Sequence, residues 1–274
     1  MSVVLPRSNA ALHGPLAALQ ARLAPLRAGL RVEWLAECDS TNTRLLERAR
    51  NGNSAPCLLV AQRQTAGRGR LGRRWWSAPG ALSFSLGLPL APPRWDGLSL
   101  AVGVALAEAL PAAVRLKWPN DLWLCAPGLD RKLGGVLIET QSLGAGAERH
   151  VVIGVGINIQ TPPAAVAATT SVVPVGAAEL DPQLDAPAVL TRIALPLLQV
   201  LDHFEAHGFS ADLQRRYAAR DALVGRELQV LADDGRVLHR GRGAGVDDDG
   251  ALLLDQSAPQ PLRLLSAELR VRPA

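Results

Sequence analysis

The spacing of turn-forming residues changes near Leu223, and this change constrains the fold more than any other feature of the sequence. After that residue, short apolar runs are separated by glycine-containing turns at residues 233–235, 241–243 and 247–250. Turn signals about every ten residues are typical of a small all-β barrel. Before it, apolar runs of strand length alternate with longer helical patterns. The sequence therefore predicts an α+β fold, with a mixed-sheet domain over residues 31–222 and a small β-barrel over residues 223–274.

The part before residue 223 is predicted to contain seven strands and four helices. We expect strands at residues 31–36, 57–62, 81–88, 114–117, 122–124, 133–140 and 150–159. We expect helices from Ser40 to Arg50 and at residues 98–110, 188–207 and 211–220. Ser40 is expected to cap the first helix, because a serine side chain accepts a hydrogen bond from a free amide at a helix N-terminus. A low-complexity stretch rich in alanine, valine and proline, at residues 161–187, leads to the helix at 188–207.

Residues 1–30 are predicted to form a helical extension that packs on the body. Their leucines recur at alternating spacings of four and three between Leu12 and Leu30, which is an amphipathic helical pattern interrupted by Pro25. This arginine-containing, acid-free start is also typical of a mitochondrial transit peptide. Alanine and arginine are equally common later in the chain, so the composition favours the helical extension.

The composition predicts a soluble cytoplasmic protein. The longest apolar stretches fall well short of the roughly 20 residues that a membrane-spanning helix needs. The three cysteines, Cys38, Cys57 and Cys125, have no metal-type spacing. An odd number of such thiols is typical of a reduced compartment. We therefore expect no membrane association and no structural zinc.

The basic residues are unevenly distributed. The formal net charge is +4, yet residues 48–95 contain eight arginines and no acid, so the rest of the chain carries −4. A local surface of +8 would attract phosphate, on either a nucleotide or a nucleic acid. Of the 29 basic residues only Lys117 and Lys132 are lysines. At these two positions the chain uses a compact, titratable ammonium group instead of a planar guanidinium.

Residues 67–72 match the dinucleotide-binding pattern G-x-G-x-x-G, but their surroundings do not. That motif must open a helix whose N-terminus meets the pyrophosphate. Here Arg73-Arg74-Trp75-Trp76 and a Ser-Ala-Pro-Gly sequence follow, which is a poor helix start. We name residues 63–74 the arginine loop. Its glycines allow close backbone approach and its arginines supply bidentate donors, which indicates binding of phosphate, carboxylate or nucleic acid.

Three further segments carry candidate site residues. In Lys-Trp-Pro-Asn-Asp at residues 117–121, Pro119 prevents a helix and predicts a turn that displays Asn120 and Asp121. A carboxylate beside a lysine can act as a base or hold Mg²⁺. Residues 131–139 and 151–158 are apolar strands with glycines, and a strand without side chains lets a flat ligand lie against it. Each segment alone also fits an ordinary turn or a β-bulge.

Taken together and in order, these segments resemble the biotin protein ligase family. The resemblance rests on Asp-Ser-Thr-Asn at 39–42, Gln-Thr-Ala-Gly-Arg-Gly-Arg-Leu-Gly-Arg at 64–73, the 117–121 turn, Arg-Lys-Leu-Gly-Gly at 131–135 and Gly-Val-Gly-Ile-Asn at 154–158. It implies a mixed-sheet catalytic domain like that of class II aminoacyl-tRNA synthetases and biotin ligases, followed by an SH3-like barrel. It also implies ATP-dependent biotinylation of a lysine on a biotin carboxyl carrier domain, through biotinyl-5′-AMP, with Mg²⁺ and ATP.

The resemblance also implies roles for individual residues. Catalytic roles fall on Lys132, Arg70 and Asp121, with Asp121 as base or orienter for the incoming lysine. Biotin contacts fall on Ser40, Thr41, Asn42, Gln64, Arg68, Gly69, Arg70, Lys132 and Gly135. Contacts with the ATP or adenylate fall on Arg68, Arg70, Arg73, Lys117, Asn120 and Asn158. No protein ligand for a metal is implied.

Two further expectations concern partners. Bifunctional members of the family carry an N-terminal DNA-binding domain of about sixty residues, whereas only some thirty residues precede the first matched strand here. We therefore expect a monofunctional ligase without sequence-specific DNA binding, and a homodimer is possible. The alternatives are a lipoate–protein ligase, and an RNA-binding protein that uses the arginine loop. The C-terminal part has no aromatic residue after Tyr217 on which bases could stack, which disfavours the second alternative.

Overall fold

Two separate sheets organise the chain in a computed structural model. The structure describes residues 10–274 except 78–79, 127–128, 145, 147, 169–171, 233 and 266–269. The helices are α1 (Ala10–Leu23), α2 (Thr41–Arg50), α3 (Leu98–Ala109), α4 (Ala164–Ala167), α5 (Ala186–His207) and α6 (Ala211–Ala218). The strands are β1 (Arg31–Cys38), β2 (Cys57–Gln64), β3 (Ala81–Leu90), β4 (Val114–Lys117), β5 (Asp121–Ala126), β6 (Leu129–Ser142), β7 (Arg149–Asn158), β8 (Val173–Pro174), β9 (Glu227–Leu231), β10 (Val237–Val246), β11 (Leu252–Asp255), β12 (Leu262–Leu264) and β13 (Arg270–Pro273). The predicted α+β class with a mixed sheet is confirmed.

The larger sheet is mixed and has the order β1-β2-β3-β7-β6-β5-β4, with β8 paired to β6. Strands β1 and β2 run parallel, and the other neighbours along this path are antiparallel. Helix α2 makes the crossover between β1 and β2, as a parallel pair requires. Because β3, β7 and β6 lie side by side, the motifs of residues 131–139 and 151–158 become neighbours in space.

The main core lies between this sheet and helices α3 and α5. Nine residues of α3 are buried, and four of them are alanines or glycine, so the helix can approach both the sheet and α5 closely. Helix α2 packs on the opposite face, against β2, β3 and β7. On α1, Leu19 and Leu23 are buried, so this helix packs on the main core. Leu12 lies outside the residues whose side chains are described.

Helix α2 begins and ends where the sequence predicts. The Ser40 side chain accepts a hydrogen bond from Thr43 N, and Gly52 adopts a φ of +84° just after the helix. A positive φ is accessible to glycine at little cost, so Asn51-Gly52 ends the helix as expected. The N-terminus of α2 is thereby fixed next to the loop that follows β2.

The smaller sheet is antiparallel, with the order β12-β11-β10-β9-β13. The turns at residues 234–235 and 247–250 connect its strands as predicted, and Gly235 and Gly250 have φ of +86° and +74°. The third predicted turn, at residues 241–243, is wrong because Gly241 and Gly243 lie inside β10. A Cβ atom added to Gly241 would lie 2.2 Å from Asp255 O, and one added to Gly243 would lie 2.3 Å from Leu223 O. These glycines permit close backbone approach and do not form a turn.

The segment between the two sheets is attached to the edge of the larger one. Leu116 N donates to Arg220 O at 2.8 Å, and Ala222 N donates to Leu116 O at 2.8 Å. These bonds place residues 220–222 beside β4 at the edge of the larger sheet. Among the described residues, no helix is both long and apolar enough to cross a membrane.

Candidate active site

A cleft of about 900 Å³ lies against strands β6 and β7. Its other walls come from the start of α2, the arginine loop, residues 117–121, residues 162–166 and 172–174, and strand β13. All fourteen residues that the sequence analysis assigned to a site line this cleft. They come from five separate segments, and the sheet order brings those segments together.

One end of the cleft is lined by uncharged polar groups. Gln64 Oε1 accepts hydrogen bonds from Thr41 N at 2.7 Å and from Thr41 Oγ1 at 3.1 Å. Ser40 and Thr41 are buried, and Gln64 N donates to Ser77 Oγ at 3.0 Å. The helix N-terminus and the end of β2 are thus joined through one side-chain amide. This arrangement suits a neutral, hydrogen-bonding ligand group.

Asn42 connects three elements beneath this polar end. Its Oδ1 accepts from Ser85 Oγ at 2.5 Å, and its Nδ2 donates to Leu137 O at 3.2 Å and to Glu139 Oε2 at 2.9 Å. Both polar atoms of the Asn42 side chain are therefore bonded within the protein. The resemblance implies that Asn42 contacts biotin. In the structure the Asn42 side chain links α2 to β3 and β6 through hydrogen bonds.

The arginine loop doubles back on itself. Gly69 N donates to Arg73 O at 2.7 Å, and Trp75 N donates to Gly67 O at 2.9 Å. Among the described residues the next regular element after the loop is strand β3, so no α-helix begins at these glycines and the rejection of a dinucleotide-binding motif is confirmed. The hairpin shape carries the arginine side chains over the cleft.

Two arginine side chains of the loop form hydrogen bonds to opposite sides of the cleft. Arg68 Nη2 donates to both carboxylate oxygens of Glu139, at 3.0 and 3.1 Å. Arg70 Nη1 donates to Asn120 Oδ1 at 3.3 Å. The loop therefore spans from β6 to the 117–121 turn, above the space between them.

The Trp75 ring packs on Gly156 of β7. A Cβ at Gly156 would lie 2.4 Å from the Trp75 ring. Trp75 Nε1 donates to Ser83 Oγ at 3.2 Å, and Ser83 Oγ lies 3.1 Å from Ser77 Oγ. We expected glycines here to receive a flat ligand. At Gly156 the protein's own indole occupies that place.

The turn at residues 117–121 is anchored to β6. Asn120 Nδ2 donates to Val136 O at 2.8 Å, and Val136 N donates to Asn120 O at 2.9 Å. Asp121 Oδ1 accepts from Lys132 Nζ at 2.7 Å. A Cβ at Gly135 would lie 3.1 Å from that same Asp121 oxygen and 3.6 Å from Lys132 Nζ. Gly135 thus leaves room for the ion pair.

Charges around this turn shift one another's pKa. Burial would raise the pKa of Asp121, but Lys132 and Lys117 lower it below its ordinary value. Burial lowers the pKa of Lys117 to about 8, against the opposing effect of Asp121. Burial also lowers the pKa of Arg70. An ionised carboxylate held among cations is a poor proton acceptor, so the geometry suits Asp121 to orienting and not to strong base catalysis.

Asn158 supports the strand that carries Lys132. Its Nδ2 lies 3.3 Å from Lys132 O and 3.3 Å from Val175 O, and its side chain is buried. Val175 N in turn donates to Lys132 O at 3.0 Å. The stretch at residues 161–187, to which the sequence gave no role, therefore contributes a wall of the cleft and fixes the backbone at Lys132.

Acids from elsewhere in the chain offset part of the positive charge of residues 48–95. Acids from other segments pair with four of the eight, as Arg48–Glu33, Arg63–Glu37, Arg68–Glu139 and Arg94–Asp249. The expected +8 patch is thus partly neutralised. The positive charge concentrates in the cleft, where the described lining residues include eight cations and one carboxylate, Asp121. The cations are Arg68, Arg70, Arg73, Arg74, Lys117, Lys132, Arg270 and Arg272.

Some lining or supporting residues carried no assignment from the sequence. Glu139, Trp75 and the serines of β3 hold the walls, and Arg270 and Arg272 reach the cleft from the barrel. A signal existed for Ser83 and Ser85, since two serines at a spacing of two in an apolar strand place polar groups on one face. No local sequence signal indicated that arginines of the barrel would line the cleft.

Comparisons with known proteins give the class of protein to which this fold and site belong. The biotin/lipoate A/B protein ligase family matches residues 34–158. The bifunctional ligase/repressor BirA of Escherichia coli is 36% identical over 92% of this chain and 78% of its own length. The biotin–[acetyl-CoA-carboxylase] ligase of Mycobacterium tuberculosis is 34% identical over 82% of this chain and 83% of its own.

The chain belongs to the biotin/lipoate A/B protein ligase family, within its biotin protein ligases. Among solved structures, the biotin protein ligase of Aquifex aeolicus in complex with biotin and ATP is similar, with a TM-score of 0.68 and 28% identity. That similarity covers 90% of this chain and all of the other. The resemblance drawn from the motifs is confirmed, whereas the absence of a DNA-binding domain stays a prediction.

Proposed function

We propose that this protein attaches biotin to a lysine of a biotin carboxyl carrier domain, in two steps that share the cleft. The observation that carries the proposal is the continuity of the cleft from the uncharged polar end at Gln64 to the cationic end at Lys132. Biotin has a neutral, hydrogen-bonding ring system at one end and a carboxylate at the other. A ligand of that polarity matches the two ends of the cleft.

In the first step, a carboxylate oxygen of biotin attacks the α-phosphorus of ATP, and pyrophosphate leaves. Both reactants are anions, so cations must offset their repulsion, and Lys132, Arg68 and Arg70 line the path between the two ends. Lys117 and Asn120 lie next to that path and suit the nucleotide. We assign Lys132 to the reacting carboxylate and α-phosphate, where charge is redistributed as the bond forms.

In the second step, the amine of the acceptor lysine attacks the acyl carbon of biotinyl-5′-AMP. The new amide bond forms, AMP leaves, and the amine loses a proton. We assign Asp121 to orienting the incoming amine, because its lowered pKa disfavours proton uptake. The arginine loop covers the cleft and would exclude water from the mixed anhydride, which water would otherwise hydrolyse.

The cleft does not fit a resident Mg²⁺. Mg²⁺ prefers oxygen ligands, chiefly carboxylates, and water. Asp121 is the one carboxylate among the described residues lining the cleft, and it is bonded to Lys132 at 2.7 Å. We therefore propose that Mg²⁺ enters only as part of the Mg·ATP substrate.

Lipoate ligation is the nearest alternative, since lipoate is also a carboxylic acid that can be activated by ATP. The relatives above 30% identity are all named as biotin ligases or BirA, which does not favour it. Lipoate also lacks the ring amides that the Gln64 end of the cleft would bind.

Thermal unfolding with each compound in turn tests the proposal. A ligand that binds only the folded state raises Tm. We expect Tm to rise with biotin, to rise further with biotin and Mg·ATP, and to stay unchanged with lipoate. Biotin-dependent exchange of labelled pyrophosphate into ATP should accompany the shift. A rise with lipoate and none with biotin would overturn the proposal.

A further inference from the structure

The 117–121 turn is held from outside the catalytic sheet as well as from within it. Trp118 is buried, and its Nε1 donates to Gly250 O at 3.0 Å. Ser99 Oγ, in the first turn of α3, donates to Pro119 O at 3.0 Å. Gly250 belongs to the β10–β11 turn of the barrel. One hydrogen bond to the 117–121 turn therefore comes from the smaller sheet.

The β10–β11 turn is rigid enough to act as an anchor. Asp247 Oδ1 accepts from Asp249 N at 3.0 Å and from Ala251 N at 2.9 Å, and Gly250 N donates to Asp247 O at 3.0 Å. Arg263 of β12 pairs with both Asp247 and Asp249. These bonds fix the direction of the Gly250 carbonyl before it reaches Trp118.

The barrel turn also fits tightly against the start of α3. A Cβ at Gly250 would lie 2.9 Å from Leu100 Cδ1 and 3.0 Å from Gly97 Cα. Gly97 cannot retreat, because a Cβ there would already lie 2.5 Å from the ring of Phe209. Arg94 adds an ion pair to Asp249 across the same junction. Any side chain at residue 250 must therefore push the two parts away from each other.

We propose that Gly250 is a positioning residue for adenylation, acting through Trp118 on the orientation of Lys117, Asn120 and Asp121. This inference rests on the proposed function, since it concerns the nucleotide end of the same cleft. The residues assigned to the neutral ring of biotin lie on α2 and β2 and do not contact the barrel turn. Displacing that turn should therefore weaken ATP binding more than biotin binding, because biotin meets the 117–121 turn only through Lys132 and Arg70 at its carboxylate end.

A second turn of the barrel supplies a matched control. Gly235, in the β9–β10 turn, also follows aspartates and has a similar positive φ of +86°. A Cβ at Gly235 would meet nothing within 4 Å. Alanine at either residue imposes a similar backbone strain, but only Gly250→Ala presses on Gly97 and Leu100 at the start of α3. Trp118→Phe removes the indole N–H and keeps an aromatic ring, so it tests the hydrogen bond itself.

The test compares Gly250→Ala, Trp118→Phe and Gly235→Ala in steady-state pyrophosphate exchange and in amide hydrogen exchange of residues 117–121. We expect Gly250→Ala and Trp118→Phe to raise KM for ATP by about 10- to 100-fold, with a clearly smaller rise in KM for biotin. Amide exchange of the turn, measured without substrates, should become faster. Gly235→Ala should alter neither quantity.

Equal effects of Gly250→Ala and Gly235→Ala would overturn the inference, because general weakening of the barrel would then explain both. Unchanged amide exchange at residues 117–121 in Gly250→Ala and Trp118→Phe would also overturn it. The amide-exchange comparison needs no catalysis. If the wild-type protein showed no biotin-dependent pyrophosphate exchange, the proposed function would be refuted. The amide-exchange data would still show whether the barrel turn positions residues 117–121.

Discussion

Lys132 Nζ donates to Asp121 Oδ1 at 2.7 Å, which joins β6 to the end of the 117–121 turn. The side chain of Lys132 is 33% exposed and that of Asp121 is 14% exposed. The carboxylate thus holds the ammonium group at the wall of the cleft while leaving part of it open to a ligand. An anion that enters the cleft meets a cation whose position is already fixed.

Lys132→Ala should nearly abolish biotin-dependent pyrophosphate exchange while the protein still folds. Loss of one fixed group that stabilises transition-state charge costs about 10²–10³ in rate. Lys132→Arg should recover part of the activity, because its planar guanidinium cannot occupy the same point. Asp121 keeps Lys117 and Arg70 nearby, so the Tm of both variants should stay close to that of the wild type.

Arg131 provides the control for this experiment. It is the preceding residue on β6 and forms an ion pair with Glu179 at 2.6 Å, outside the lining of the cleft. Arg131→Ala should leave exchange essentially unaltered. Near-wild-type exchange in Lys132→Ala would remove Lys132 from the mechanism.

Glu139→Gln should loosen the arginine loop and allow biotinyl-5′-AMP to escape. The Glu139 carboxylate accepts two hydrogen bonds from Arg68, which is 45% exposed. Exposed ion pairs contribute about 0.2–1 kcal/mol, so escape should rise by up to about fivefold. The measurement is biotinylation of lysines on a bystander protein relative to the carrier domain.

Glu37→Gln is the matched control for loop loosening. Glu37 pairs with Arg63 at 2.7 Å, at the start of the same loop and away from the cleft. This variant removes an exposed ion pair of similar geometry, so bystander labelling should not change. Equal labelling by the two variants would show that Glu139 has no special part in closing the loop.

Local features of the fold could be predicted because their causes are local. Ser40 caps α2, and Asn51-Gly52 ends it, through bonds and backbone angles that involve only neighbouring residues. Pro119 excludes a helix by its own geometry, and the turn at residues 117–121 follows from it. The site residues could be named because the motifs resemble a family. Composition alone left several kinds of ligand open.

The contacts that shape the cleft could not be predicted, because the register of the sheet determines them. Arg68 and Glu139 are 71 residues apart in the chain. Gly156 lies opposite Ser83 in the β3–β7 ladder, and only that pairing shows why Trp75 rests on a glycine. Gly241 was mistaken for part of a turn for the same reason. A glycine that admits a neighbouring backbone has the same sequence signal as one in a turn.

Gly156→Ala should weaken biotin binding. The added Cβ would lie 2.4 Å from the Trp75 ring, so the indole must move. Trp75 is linked through Ser83 and Ser77 to the backbone of Gln64, which is assigned to biotin. Overpacking of this kind typically costs about 1–3 kcal/mol. Calorimetric titration should therefore show a higher Kd for biotin and an unchanged Kd for ATP.

Gly146→Ala tests whether an added methyl group alone has this effect. Gly146 lies in the β6–β7 connection, where a Cβ would approach no atom closer than 3.9 Å. Biotin affinity should stay at the wild-type value in this variant. If Gly156→Ala also retained wild-type affinity, the indole would have no part in shaping the biotin end.

Lys117 should make the protein respond to alkaline pH. Its ammonium group lies 5.7 Å from the centre of the Trp123 ring, and burial lowers its pKa to about 8. The ordinary pKa of lysine is about 10.4. Lys117 therefore loses its charge in the folded protein at a pH where the unfolded chain still holds the proton. The affinity for ATP should fall as pH rises through about 8, because a cation at the nucleotide end is lost.

Stability should change in the opposite direction over the same window. Below about pH 8 both states hold the proton on Lys117, and the folded protein bears the full cost of burying the charge. Between there and about 10.4 the unfolded chain binds more protons than the folded one, so the contribution of Lys117 to the free energy of unfolding rises with pH. Urea denaturation of the wild type and of Lys117→Met, from about pH 7 to about pH 9.5, isolates this contribution as the difference between them. We expect the wild type to gain stability relative to Lys117→Met across that range, while its affinity for ATP declines and that of the variant stays level. A constant difference would mean that Lys117 keeps its charge in the folded state, and the lowered pKa would then be wrong.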